Sequence, residues 1–64
     1  MRSYIAQFTP IGVPTTVQRY IYFTAIDDAA ARQIASDRFF ELHLSGRHVV
    51  TVTRGFEFNV EGPP

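Results

Sequence analysis

The sequence predicts an α+β domain of order ββαββ, a four-stranded antiparallel sheet with one helix packed on one face. Three observations carry this. Residues 19–25, RYIYFTA, alternate and run straight into Asp27-Asp28 and an alanine-rich segment with apolar residues at spacings of three and four. Two more alternating runs, RHVVTVT and FEFNV, flank a glycine turn. The chain has 64 residues, enough for one domain. Residues 1–60 are expected to form it, with residues 61–64 a loose, solvent-facing tail.

Residues 3–9, SYIAQFT, read as the first strand. Tyr4, Ala6 and Phe8 share one face, directed at the core; Ile5 and Gln7 share the other. Pro10, Gly12 and Pro14 then punctuate a turn, because proline cannot donate within a central strand. The first two strands are therefore expected to form a hairpin. Ile11 and Val13 are apolar residues on its loop, which either fold back on the core or form a contact tip.

In the second strand Val17, Arg19, Ile21, Phe23 and Ala25 point one way, and Gln18, Tyr20, Tyr22 and Thr24 the other. Asp27 is an N-cap, Asp28 meets the positive helix end, and Ile26 precedes them as a residue able to pack on the first turns. Ala31, Ile34, Ala35, Phe39 and Leu42 form the apolar stripe of a helix from Asp28 to about residue 42. Residues 41–45 also fit a short strand, and Gly46 fits a helix C′ position. Strand and helix are each roughly 20 Å long, so the helix can lie antiparallel along its own strand. Arg19 then meets Glu41 or the last helix carbonyls, or else snorkels to water at the rim.

Register in the last third follows from hydrophobicity. A three-residue loop, Thr53-Arg54-Gly55, pairs Val52 with Phe56 and Val50 with Phe58. That puts Val50, Val52, Phe56, Phe58 and Val60 on one face, with Gly55 left-handed. A two-residue loop would put Glu57 and Asn59 there instead. Strand orders 2-1-3-4 and 1-2-4-3 both give fully antiparallel sheets. Order 1-2-3-4 needs a parallel central pair with a right-handed crossover.

One helix leaves the other sheet face bare. It carries Ile5, Gln7, Gln18, Tyr20, Tyr22, Thr24, Val49, Thr51, Glu57 and Asn59. This is a face of tyrosine, β-branched and amide side chains, the composition of an interface. A chain this short is marginal alone and has no cysteine to staple it, yet 45% of its residues are hydrophobic. The expected partner is another protein, most simply a second copy, through the sheet face at Tyr20, Tyr22, Ile5, Gln18, Val49 and Thr51 or through an edge strand. The alternative is single-stranded nucleic acid stacked on the tyrosines, with Arg2, Arg47 and Arg54 at the rim; zero net charge argues against it.

Chemistry is poorly represented. There is no P-loop, no G-x-G-x-x-G and no zinc spacing, and all six basic residues are arginine, which removes lysine chemistry. His43 and His48 could face each other across a Ser45-Gly46 turn with Glu41 or Glu61 near, but scattered histidines are the commoner case. Ser45 beside His48 lacks an orienting carboxylate, and helix capping accounts for Asp27 and Asp28. The expectation is a small, non-enzymatic, cytoplasmic interaction module, without cofactor, metal or membrane span.

Overall fold

The computed structural model describes residues 1–12, 18–53 and 55–63. Val13, Pro14, Val17, Arg54 and Pro64 lie outside the described residues, and with them the reading of Val13 as a loop contact and of Arg54 as a rim residue. Five elements follow one another: β1 (Arg2–Pro10), β2 (Arg19–Ala25), α1 (Asp28–Glu41), β3 (Arg47–Val52) and β4 (Phe56–Glu61). The strands form one antiparallel sheet in the order β2-β1-β3-β4, the first of the two antiparallel orders the pattern allows.

β1 is the organising central strand. It pairs with β2 from Arg2↔Ala25 to Phe8↔Arg19, and with β3 from Ala6↔Val52 to Pro10↔His48. The Thr53 N–H donates to the Ile5 carbonyl at 3.0 Å, and the Ile11 N–H to the Arg47 carbonyl at 2.9 Å. Odd-numbered residues of β1 therefore bond toward β3 and even-numbered ones toward β2. Pro10, read from sequence as turn, is the last residue of β1. Its missing N–H faces the β2 side, beyond Phe8↔Arg19, the last pair among the described residues.

The helix begins as its chemistry dictates. The Asp27 side chain accepts from the Ala30 N–H at 2.8 Å, on extended backbone (φ −157°). Ala31, Ala35 and Phe39, four residues apart, are its buried face. The Tyr4 hydroxyl donates to Asp28 Oδ1 at 2.8 Å, and the Phe8 and Phe39 rings meet edge-on at 5.7 Å. The helix thus runs beside β1 in the same direction and antiparallel to β2, as the matched lengths predict. It ends with the Leu42 N–H on the Arg38 carbonyl (3.0 Å) and the His43 N–H on the Phe40 carbonyl (3.1 Å). His43, with φ 58°, takes the left-handed position considered for Gly46. Leu42, expected on the buried stripe, is the C-cap and is exposed.

The β3–β4 hairpin has the expected register, Val52↔Phe56 and Val50↔Phe58, with Gly55 left-handed at φ 89°. Val50 and Val52 are buried, while Phe56, Phe58 and Val60 are half-covered. β4 extends one residue beyond the expected domain end, to Glu61. Gly62, expected in a loose tail, is buried: its N–H donates to the Gly46 carbonyl at 2.8 Å, and the Gly46 N–H to the Pro63 carbonyl at 3.2 Å.

Three local readings are decided by the structure. Ile26 is 70% exposed and does not pack on the first turns. Of the two placements expected for Arg19 the rim is the one observed: Arg19 is exposed there, while Glu41 lies 4.0 Å from Arg38 on the helix. His43 and His48 do not face each other. His43 ends the helix, whereas His48 is on the core face of β3, 6% exposed, with its ring 5.0 Å from that of Phe39.

Tyr4 closes the core beneath the helix start, stacked on Phe23 at 5.6 Å. Burial, and then its hydrogen bond to Asp28, push its phenol above the ordinary value of 10.0. A raised folded-state value means that this contribution to stability is complete below pH 10.0 and is lost as pH rises through the raised value. Tyr4→Phe is therefore expected to lower stability at neutral pH and to flatten the alkaline loss. Urea midpoints at about pH 8 and about pH 11 measure it. An alkaline loss identical to wild type would refute the assignment.

Candidate functional site

The sheet face opposite the helix is built by alternation. Directly opposite pairs set Tyr20 beside Gln7, Gln7 beside Thr51 and Thr51 beside Glu57, a row that crosses all four strands. The next row sets Tyr22 beside Ile5. Tyr20 is 53% and Tyr22 74% exposed. Ile5 and Val49 are half-buried, and Gln18 and Thr51 are exposed. The Gln18 Oε1 accepts from both the Gln7 side-chain amide and the Tyr20 hydroxyl, the latter at 3.2 Å, which ties these side chains together across the hairpin.

The face is graded. Its β2 side is aromatic, while Glu57 and Glu61 stand on β4 at the other margin. A shallow depression of about 570 Å³ lies beside Tyr22. Ser3, Ile5, Thr24 and Thr53 line it together with Tyr22, Tyr4 and Phe23. Among the described residues the β1–β3 register begins at Ala6↔Val52, and Thr53 is bonded back to Ile5 at the rim of the depression. A second depression, about 190 Å³, separates α1 from β4, with the Arg32 guanidinium 4.8 Å above the Phe58 ring. The single helix covers β1 and β2 and leaves the inner side of β4 half-open.

The remaining candidates are dispersed. Ile11 is exposed on the hairpin loop with its N–H committed to β3. Arg2 begins β1 and Arg47 begins β3, at opposite ends of an antiparallel pair, so they do not line one basic track. His48 Nδ1 lies 3.5 Å from the Gly46 carbonyl, and Ser45 is exposed. Among the described residues no group of three or more His, Cys, Asp or Glu could hold a metal ion, and no helix is long and apolar enough to cross a membrane.

Sequence reasoning offered the tyrosine face or an edge strand, but could not say which strand forms the edge. Which strand is outermost depends on strand order, and both antiparallel orders bury the same side chains. In comparisons with known proteins, no family model, curated protein or solved structure matches the chain.

Proposed function

We propose that this is a small, non-enzymatic interaction module that binds protein, in the first place a second copy of itself, through the tyrosine-bearing β2 side of its sheet. The observation that carries the reading is the exposure of Tyr20 and Tyr22 beside half-buried Ile5, on the sheet face opposite the helix. Tyrosines offer large, rigid contact area with a hydrogen-bonding tip. A domain this small gains stability from covering such a surface. Among the described residues Arg2 and Arg47 stand at opposite ends of an antiparallel pair and make no basic track, which favours protein over single-stranded nucleic acid as the partner. The reading places the module in the cytoplasm.

Light scattering across a dilution series, wild type beside Tyr20→Ser/Tyr22→Ser, tests the proposal. The expected result is a dimer that the double variant converts to a folded monomer. A wild type that stays monomeric at every concentration overturns self-association. Salt-sensitive binding of an unstructured oligonucleotide by that monomer would move the reading to nucleic acid.

A further inference from the structure

We infer that the self-association proposed above is made edge to edge, β2 against β2 of a second copy. The strands run antiparallel, with a two-fold axis at Tyr22 joining two four-stranded sheets into one. The inference rests on the self-association reading and adds its partner strand and register.

Backbone direction is the first argument. In the β1–β2 ladder Tyr4 and Phe23 face each other as a hydrogen-bonded pair, so odd-numbered residues of β2 bond inward. Tyr20, Tyr22 and Thr24 then point their N–H and C=O groups outward from the open edge. β4, the other edge, likewise points Glu57, Asn59 and Glu61 outward. Proteins guard sheet edges with charges, prolines or short strands. β4 is guarded by its two glutamates. β2, RYIYFTA, has no proline, and its only charge is Arg19 at one end.

Charge decides between the edges. Antiparallel self-pairing of β4 about Asn59 would set Glu57 directly opposite Glu61 of the copy, a like-charge pair. Self-pairing of β2 about its midpoint, Tyr22, uses all seven residues of the strand and opposes no like charges. Arg19 falls opposite Ala25, Tyr20 opposite Thr24, Ile21 opposite Phe23, and Tyr22 opposite itself. Arg19 has no ionic partner among the described residues, and in this register it sits at the end of the copy's strand, where Asp27 and Asp28 follow. Ile26, 70% exposed one residue past β2, is brought against the copy's Gln18–Tyr20 segment.

Cysteine cross-linking tests the register, since the chain has no cysteine of its own. Opposed Tyr22 positions would place their Cα atoms about 5.5 Å apart, within disulfide reach. Under mild oxidation, Tyr22→Cys is expected to give a covalent dimer in high yield. Tyr20→Cys and Thr24→Cys should each do so poorly alone and well when mixed. Tyr22→Pro removes an outward N–H that the β1 ladder does not use, so it should yield a monomer with its sheet retained. If that variant does not fold, the cross-links in the otherwise intact chain still decide. A wild-type dimer that cross-links no better at Tyr22→Cys than at Glu57→Cys overturns the register while self-association stands. A monomeric wild type overturns both.

Discussion

Phe39→Ala is expected to cost about 3–5 kcal/mol, the range for removing a fully buried phenylalanine. Phe39 has no exposed surface, and it meets Phe8 of β1 at 5.7 Å and His48 of β3 at 5.0 Å. It is the helix residue that ties the two central strands together at the end where β1 and β3 pair. The upstream buried helix residues, Ala31 and Ala35, are too small to fill the space it would leave. A 64-residue domain holds on the order of 3–10 kcal/mol in total, so the variant should be largely unfolded or melt more than about 12 °C lower. Phe40→Ala is the control. Its ring touches Phe39 at 5.2 Å but is 49% exposed, so its cost should stay near about 1 kcal/mol. Thermal melts by circular dichroism measure both, and a Phe39→Ala melt within a few degrees of wild type would refute this account of the core.

Gly62→Ala is the second large effect, and it is steric. A Cβ at Gly62 would overlap the Leu44 carbonyl oxygen and approach the Leu44 carbonyl carbon and the Ser45 Cα to 3.1 Å. These neighbours are backbone, so no side chain can swing aside. Either the end of β4 or the segment after the helix must move. The pair of bonds from Gly62 to Gly46 and from Gly46 to Pro63 would be broken or stretched. The expected cost is about 1–3 kcal/mol, the range for an added methyl in a packed site. Hydrogen exchange gives the local signature: the Gly46 and Gly62 amides should lose protection while those of β1 and β2 keep theirs. Unchanged protection at both glycines would show that the close approach does not constrain the chain.

These two residues differ in how far the sequence announces them. Phe39 stands on a visible stripe of three-and-four spacing, and its burial follows from periodicity. Gly62 stands in a terminal Gly-Pro-Pro that has the composition of a loose end. Its partners, Leu44 and Gly46, are distant in sequence, and nothing local marks the approach. His48 is a similar case. Beside Ser45 and Gly46 it has the look of a turn residue, yet alternation along β3 puts it on the same face as Val50 and Val52. A strict period-two reading from Val52 backward would have placed it in the core.

For the candidate site, the sequence by itself determined which side chains share the bare face, because alternation assigns Tyr20, Tyr22, Ile5, Val49 and Thr51 to one side once the strands are recognised. It also determined the β3–β4 register, since only a three-residue loop keeps Val50, Val52, Phe56 and Phe58 together. Tertiary structure alone decided the order β2-β1-β3-β4, and so made β2 an edge with outward-pointing backbone and β4 a guarded one. It alone left Ile26 exposed and pinned Gly62. The physical reason is the same in each case. Periodicity reports which face a residue belongs to, whereas neighbours across a sheet are chosen by long-range contacts that many orders would satisfy equally in hydrophobic pattern.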